Sequence, residues 1–338
     1  MIKLLFFVLF FTGVCFPNSD VPEFHRHKIE EFYKKENIQN TKLEPLRGGM
    51  SQSFVYKLAP SYVIRLLSSR VSKEQRKNEI IFHKTFEKQG IVPKIYYIDD
   101  ENDPYMIVMQ FIEGRNFAPA DIHDENIMNQ IISSLKIIHS ATLEIENTQT
   151  MLGQIENFRY DKERLPSDFE RWRTMLLQDA TKYESAKVPV HGDLSRWNIL
   201  IQEPGNKVYF LDFQETRLDS IYPELGYFFY ESGIDDKKAQ QTFLKRYYGK
   251  DFIEFETEAV EFYYRVTAFA CGVYLLHWID PKYKEKELSR IYTSLAKRGV
   301  ENFQGEHIDK LVLEKMSPEE RVKYVLSFFK DQDQLLRF

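Results

Sequence analysis

The chain has 338 residues, of which 43% are hydrophobic and 29% are charged. This is the composition of a globular protein, and the length allows two lobes around a cleft or one large domain. The net charge of −5 and the isoelectric point of about 6.0 give no electrostatic reason to expect nucleic acid as a partner. With only two cysteines, Cys15 and Cys271, the sequence predicts neither a disulfide framework nor a cysteine metal cluster.

The first 18 residues contain a short apolar run. Met1 to Lys3 precede the segment LLFFVLFFTGVCF, which has the size of a secretory signal core and is short for a membrane span. Residues 1–18 are therefore interpreted either as a signal or anchor, or as a misassigned start or buried N-terminal segment. Contact with a membrane is expected only through this run, and only if it is not cleaved.

Residues 19–113 are predicted to form a small lobe rich in β-strands. Helical periodicity alternates there with short runs of branched and aromatic residues, and glycines and an acidic turn separate the runs. The predicted elements are a surface helix, a hairpin with a glycine-containing loop, a second helix and two strands: Glu23 to Ile38, Leu43 to Leu67, Lys73 to Gly90, and strands that begin at Lys94 and Tyr105.

Residues 114–338 are predicted to form a larger and mainly helical lobe. Asn126 to Leu143 is strongly periodic, and helical patterns continue to the C-terminus. A β-like region from Val188 to Phe213 is the one interruption. The predicted fold class is thus α+β, with a small β-rich lobe, a connecting segment near Gln110 to Gly114, and a helical lobe.

The most informative stretch is VPVHGDLSRWNIL, followed by VYFLDFQE. The first β-like piece leads to Asp193, a tight loop leads to Asn198, and the second β-like piece ends at Asp212. Phosphoryl transfer needs a carboxylate to orient the attacking hydroxyl, and oxygen ligands that hold Mg²⁺ against the phosphates. We assign Asp193 to the acceptor hydroxyl, and Asn198 and Asp212 to the metal. A turn begun by an aspartate and capped by an asparagine would be the structural alternative, but the spacing H-x-D-x4-N with a second Asp before an aromatic matches both kinase patterns together.

The block HGDLSRWNIL with FLDF resembles the motif of the aminoglycoside phosphotransferase and choline kinase superfamily. Gly192, where protein kinases have arginine, points to the branch that acts on small molecules. The similarity extends from about Leu43 to about Trp278. It implies a protein-kinase-like two-lobed fold, with ATP and Mg²⁺ as cofactors and a hydroxyl group of a small molecule as acceptor.

The same resemblance implies a nucleotide site in the first lobe. Gly48, Gly49 and Ser51 would form the loop over the phosphates, although a simple hairpin turn has the same sequence. Arg65 stands in the place of the strand lysine that contacts phosphates, and Glu79 is the acid that would pair with it. An ordinary surface ion pair is the alternative for these two residues. The hinge, where backbone groups would meet adenine, corresponds to Gln110 to Ile112.

Acceptor residues are implied in the second lobe, namely Glu215, Glu224, Glu231 and Trp278. Acids and aromatic faces together would suit a cationic amino-alcohol, and we favour such an acceptor over an aminoglycoside or another sugar. A helix that is simply part of the core is the alternative for the aromatic segment around Trp278. The resemblance implies structural roles for His139 and His191.

Two other classes of function stay open at this point. One is an exported kinase that acts on a protein or a lipid, which the apolar leader would allow. The other is a catalytically silent binding module, against which the intact Asp193, Asn198 and Asp212 argue. Because the chemistry needs ATP, we expect the catalytic part to be cytoplasmic, with secretion or membrane anchoring as the alternative.

Overall fold

The computed structural model describes residues 23–36, 38, 43–46, 54–58, 61–67, 71–100, 105–145, 149–157, 169–249 and 252–278. The predicted leader and the predicted phosphate loop lie outside these residues. Within the described part of the chain, no helix is long and apolar enough to cross a membrane.

The described part contains eight α-helices and ten β-strands. The helices are α1 (Glu23–Lys35), α2 (Lys73–Glu87), α3 (Glu125–His139), α4 (Met151–Glu156), α5 (Phe169–Ala180), α6 (Ile221–Glu231), α7 (Lys237–Tyr248) and α8 (Glu254–Trp278). The strands are β1 (Leu43–Pro45), β2 (Phe54–Leu58), β3 (Tyr62–Leu67), β4 (Ile95–Asp99), β5 (Tyr105–Gln110), β6 (Gly114–Asn116), β7 (Val188–Val190), β8 (Ile199–Gln202), β9 (Val208–Phe210) and β10 (Arg217–Asp219).

An antiparallel five-stranded sheet forms the first lobe, in the order β1-β2-β3-β5-β4. One face buries the alternating residues Tyr56, Leu58 and Ile64 against Ile29 and Phe32 of α1. Ile29 and Phe32 are the residues that the amphipathic pattern of α1 turns inward, because positions three and four apart share a helix face. The predicted surface helix, hairpin and two strands of this lobe are confirmed.

Helix α2 lies between this sheet and the helical lobe. The Ser72 hydroxyl accepts a hydrogen bond from the backbone N–H of Gln75, and the side-chain oxygen of Gln75 accepts one from the backbone N–H of Ser72. This reciprocal cap fixes the beginning of the helix. Phe82 and Phe86 are buried in the large core that the helices of the second lobe also form, so α2 is anchored on the side where the two lobes meet.

Two small sheets in the second lobe carry the loops that hold Asp193 and Asp212. Strands β6, β8 and β9 form one sheet, and β7 pairs with β10 in the other. The sequence predicted the β-like region from Val188 to Phe213 but neither β6 nor β10. Each has only three residues and no sequence pattern of its own. Each is defined by its pairing with a distant strand.

Helices α6 and α8 pack closely against each other. A Cβ atom at Gly226 would lie 2.6 Å from the backbone nitrogen of Tyr264 and 2.7 Å from the carbonyl carbon of Tyr263. The absence of a side chain at Gly226 therefore permits this packing, and it fixes the position of α6 along α8.

Candidate active site

The loop after β7 carries the predicted catalytic residue. Gly192 has φ +83°, and a Cβ atom there would lie 2.1 Å from the carbonyl oxygen of Glu215. Only glycine fits this combination of positive φ and close approach. The chain then passes Asp193 and forms a turn of 3-10 helix at Arg196–Asn198, from which β8 begins.

Asp193 is 2% exposed, and each of its carboxylate oxygens accepts a hydrogen bond. The Tyr227 hydroxyl donates to Oδ1 at 2.5 Å, and Nδ2 of Asn198 donates to Oδ2 at 3.0 Å. Burial raises the pKa of the Asp193 carboxyl well above its ordinary value; the Tyr227 hydrogen bond opposes this rise, and the charges of Asp212 and Glu231 add to it. The carboxylate is therefore held in one orientation in a strongly negative environment.

His191 joins the catalytic loop to the loop that carries Asp212. Its Nε2 donates to the carbonyl oxygen of Leu211 at 2.9 Å, and its Nδ1 accepts from the backbone N–H of Asp193 at 3.3 Å. Burial lowers the pKa of His191, so the ring is neutral. With no exposed surface and both nitrogens engaged, His191 has the scaffold role expected of it.

Arg65 connects the two lobes through a pair of carboxylates. Its Nη1 donates to Oε1 of Glu79 at 2.5 Å, which confirms the predicted pair, and its Nη2 donates to Oδ1 of Asp212 at 2.6 Å. Burial alone would lower the pKa of Arg65, but Asp212 and Glu79 raise it above its ordinary value. Burial raises the pKa of Glu79 to about 7, and the charge of Arg65 opposes that rise. Since Arg65 and Glu79 are 5% and 1% exposed, this is a buried bridge, not a surface ion pair.

Glu215 lies in the same charged region, three residues after Asp212. Gln75 of α2 donates from Nε2 to its Oε1 at 3.1 Å. Burial raises the pKa of Glu215 well above its usual range; Arg217 lowers it, and the charges of Asp193 and Asp212 raise it further. The predicted acceptor-side acid is therefore in electrostatic contact with both key aspartates.

Glu224, which was predicted on the acceptor side, contacts the catalytic loop and His139. Its Oε1 accepts from the backbone N–H of Gly192 at 2.9 Å, and its Oε2 contacts Nε2 of His139 at 2.5 Å. His139 in turn contacts the hydroxyl of Tyr247 through Nδ1 at 2.6 Å. Both oxygens of Glu224 thus have internal partners. This carboxylate therefore supports the backbone of the catalytic loop, and His139 is buried between Glu224 and Tyr247.

Several predicted residues are placed without a direct test of their role. The backbone N–H of Gln110 donates to the carbonyl oxygen of Lys94, and the N–H of Phe111 donates to that of Ser61, so the predicted hinge is tied to two strands. Ile112 is buried. Glu231 ends α6, and Trp278 ends α8 with a side chain outside the described set. Gly48, Gly49 and Ser51 also lie outside the described residues.

Three residues of the site were not found from the sequence, namely Gln75, Arg217 and Tyr227. Arg217 donates from Nη1 to the carbonyl oxygens of Gly192 and Glu215, both at 3.3 Å. It also donates from Nε to Oδ2 of Asp219 at 3.0 Å. No local spacing identifies Gln75 or Tyr227, because their partners lie 140 and 34 residues away.

The donor atoms present fit a magnesium ion. Asn198 uses its amide nitrogen on Asp193, which leaves the amide oxygen to bind a cation, and Asp212 supplies a carboxylate. Mg²⁺ in nucleotide sites is typically bound by one or two carboxylates together with substrate phosphates, so a set of two protein residues is sufficient. Asp212 has φ +64°, a backbone conformation that aspartate and asparagine tolerate better than most residues.

Comparison with known proteins places the chain in a family. The model of the phosphotransferase enzyme family matches residues 42–263. No significantly similar sequence is found among curated proteins.

Three solved structures with a similar fold are informative. The choline kinase LicA from Streptococcus pneumoniae has a TM-score of 0.60 and 16% identity, over 82% of this chain and 99% of that chain. The ethanolamine kinase of Plasmodium vivax has a TM-score of 0.61 and 14% identity, over 94% and 92%. A GDP complex of aminoglycoside 2'-phosphotransferase-IIIa has a TM-score of 0.61 and 13% identity, over 82% and 99%.

These similarities confirm the predicted kinase-like fold, with its β-rich first lobe and helical second lobe. The family match, which covers the catalytic loop and the residues around Asp212, confirms the prediction of an enzyme that transfers phosphate to an alcohol group. The chain belongs to the phosphotransferase enzyme family.

Proposed function

We propose that this enzyme transfers the γ-phosphate of ATP, bound with Mg²⁺, to a hydroxyl group of a small amine-bearing alcohol. The observation that carries the proposal is the state of Asp193. Its carboxylate is buried, and each oxygen accepts one hydrogen bond. The negative charge of Asp212 acts on it electrostatically. A carboxylate in this position can accept a hydrogen bond from an incoming hydroxyl and receive its proton.

The other residues of the site have separate tasks in this reaction. Asp212 and Asn198 would hold the metal ion, which neutralises charge on the transferred phosphate. Arg65 carries a fixed positive charge next to Asp212, and this charge would attract the phosphate oxygens while its two terminal nitrogens hold Glu79 and Asp212. His191 keeps the two loops in register. Asp193 orients the acceptor hydroxyl and takes its proton.

A nucleotide as phosphate donor is supported by the solved structures. Those of similar fold include a GDP complex of aminoglycoside 2'-phosphotransferase-IIIa, an AMP complex of LicA and an ADP-bound aminoglycoside phosphotransferase. Gln110 is the last residue of β5, and Phe111 and Ile112 follow it directly, where the hinge of a kinase-like fold would contact the base. We assign adenine binding to this segment.

The acceptor is proposed to be cationic because the site has an excess of negative charge. Burial raises the pKa of Asp193 and of Glu215, and nearby negative charges raise both further, those of Asp212 and Glu231 at Asp193 and those of Asp193 and Asp212 at Glu215. A protonated amine on the acceptor would relieve this repulsion. We favour a small amino-alcohol such as ethanolamine or choline, and an aminoglycoside is the alternative with the same charge.

The test is a phosphate-transfer assay with the full-length protein, ATP and Mg²⁺. A panel of ethanolamine, choline, kanamycin and uncharged sugars would be compared by release of ADP and by detection of the phosphorylated product. We expect turnover with at least one amine-bearing alcohol and not with the uncharged sugars. Turnover with sugars alone would contradict the cationic acceptor, and phosphorylation of none of the panel with normal nucleotide binding would contradict the small-molecule assignment.

Asp193→Asn tests the proposed role of Asp193 as the base of the reaction. Asparagine retains the size of the side chain but cannot accept the proton, and general-base assistance is worth about 10²–10⁴ in rate. We expect turnover to fall by that order, with nucleotide affinity nearly unchanged because the metal ligands remain. Near-normal turnover would mean that another carboxylate is the base, and Glu215 would be the next candidate.

A further inference from the structure

Tyr227 contacts the carboxylate that the proposed reaction depends on. It lies in α6, 34 residues after Asp193, and its hydroxyl donates to Oδ1 of Asp193 at 2.5 Å. We propose that Tyr227 is a positioning residue for phosphoryl transfer, which holds the Asp193 carboxylate in the orientation that accepts the hydroxyl of the substrate. This inference rests on the proposed function, in which Asp193 is the base.

The hydroxyl of Tyr227 is held by a rigid support. Gly226 brings α6 against the backbone of α8, with an added Cβ atom only 2.6 Å from the nitrogen of Tyr264. Tyr227 itself is 4% exposed and belongs to the large core of the second lobe. A side chain that is packed in this way delivers its hydroxyl to a fixed point.

Helix α6 contacts two successive residues of the catalytic loop, Gly192 and Asp193. Glu224 accepts from the backbone N–H of Gly192, and Tyr227, three positions later, donates to the side chain of Asp193. Residues three apart share one face of a helix. The first contact fixes the backbone of the loop, and the second fixes the carboxylate itself.

The two donors on Asp193 have complementary effects. Asn198 belongs to the same loop and donates to Oδ2, whereas Tyr227 comes from another element and donates to Oδ1. With a donor on each oxygen, rotation of the carboxylate breaks at least one hydrogen bond. The remaining lone pairs therefore point in fixed directions.

In the reaction that this arrangement supports, one bond forms and one bond breaks at the γ-phosphorus. The hydroxyl oxygen of the acceptor forms a bond to the γ-phosphorus of ATP while the bond to the bridging oxygen breaks and ADP leaves. Asp193 receives the hydroxyl proton. Tyr227 keeps its own proton throughout, since its task is only to hold Oδ1.

Tyr227→Phe removes the hydroxyl and leaves the ring in the core. A hydrogen bond to a charged group is typically worth enough to change a rate by about 10- to 100-fold. We expect turnover of the full-length enzyme to fall by that factor, with nucleotide affinity changed by less than about twofold, as for a purely catalytic contact. Tyr230→Phe is the matched control, because Tyr230 is a buried tyrosine of the same helix that packs edge-on against Tyr264. We expect that variant to retain turnover.

The double variant Tyr227→Phe/Asp193→Asn separates a positioning role from a merely structural one. If Tyr227 acts through Asp193, the double variant should be no slower than Asp193→Asn alone, since contacts that act as a unit are not additive. Additive losses, or parallel losses of turnover, nucleotide affinity and melting temperature in Tyr227→Phe, would show a structural role and overturn the inference.

The outcome for Asp193→Asn distinguishes the two proposals. Full turnover of Tyr227→Phe with a slow Asp193→Asn would overturn the inference and leave the proposed function intact. Full turnover of Asp193→Asn would reject Asp193 as the base, and the role of Tyr227 with it.

Discussion

Replacing Arg65 by methionine would remove the only positive charge that the described residues place between Glu79 and Asp212. Its two guanidinium nitrogens contact these carboxylates at 2.5 and 2.6 Å, and the Arg65 side chain is 6% exposed. Among the described residues, Oε2 of Glu79 has no hydrogen-bond partner. Without Arg65, Glu79 would therefore be a buried carboxylate with neither a cation nor a donor.

The expected magnitude follows from this burial. Breaking a buried ion pair by removal of one partner costs about 3–5 kcal/mol, because the remaining charge stays in a medium of low polarity. Glu79 can escape part of this cost by binding a proton, since burial raises its pKa to about 7 even with Arg65 present. At pH 8, where protonation is least favoured, we expect Arg65→Met to lower the free energy of unfolding by about 3 kcal/mol or more.

Urea unfolding at pH 8 of Arg65→Met, Glu79→Gln, their double variant and Arg115→Met tests this reasoning. Arg65→Met/Glu79→Gln should be more stable than Arg65→Met alone by at least about 1 kcal/mol, because residues in contact couple by about 0.5–3 kcal/mol. Arg115→Met is the matched control. Arg115 also contacts two carboxylates, those of Asp121 and Glu203, but its side chain is 42% exposed, so its loss should cost about 1 kcal/mol or less. Equal costs for Arg65→Met and Arg115→Met, or additive costs in the double variant, would refute the buried bridge.

Three further variants test other parts of the site. Asp212→Asn should abolish the Mg²⁺ dependence of nucleotide binding by calorimetry without unfolding the protein, since asparagine also tolerates the φ of +64° at this position; an unchanged affinity for Mg-ATP would reject Asp212 as a ligand. Gly192→Ala should cost well over the roughly 1–2 kcal/mol of a left-handed residue. It should cost far more than Gly205→Ala, because the added Cβ lies 2.1 Å from a backbone oxygen at Gly192 but meets nothing within 4 Å at Gly205. Equal melting temperatures would contradict the close approach. Burial lowers the pKa of His83 from 6.5 to about 4, so the unfolded chain binds the proton first as the pH falls. The contribution of neutral His83 to the free energy of unfolding, about 3 kcal/mol, is complete above pH 6.5 and is lost as the pH falls toward 4. Urea midpoints from pH 4 to 7 should fall less steeply in His83→Gln, and parallel profiles would exclude His83 as the source.

Most of the fold could be predicted because its elements have their own periodicity. Helix α2 was predicted from Lys73 to Gly90 and runs to Glu87, with Gly90 at φ +67° just beyond it. The alternation in β2 was equally visible, because one face of that strand is buried under α1, and β3 was predicted from its branched residues. Strand β6 was missed since its three residues, which include Gly114, are all exposed and are ordered by pairing with β8.

The site was predictable to the extent that it is local. Asp193 and Asn198 are five residues apart, and the chemistry of a kinase loop requires that spacing, so sequence alone identified them. The hydrogen bond from Tyr227 to Asp193 and the contact of Arg65 with Asp212 span 34 and 147 residues. Only the packing of α6 on α8 and of β3 near the second lobe creates them. The sequence analysis assigned Glu224 to the acceptor, because an acid at this position is as consistent with ligand binding as with support of the catalytic loop.

The charge balance of the site connects its stability to its function. Asp193, Asp212 and Glu215 interact with one another, and the cations closest to them, Arg65 and Arg217, are shared with other acceptors. The protein thus keeps more negative than positive charge in a poorly solvated region, which opposes folding. Such an arrangement persists because the core around α6 and α8 and the glycine at position 192 hold it together. In the proposed reaction, a metal ion with the phosphate donor and an amine on the acceptor would supply the missing positive charge. Binding of either cation then lowers the repulsion at the moment when Asp193 must remain ionised to orient the hydroxyl.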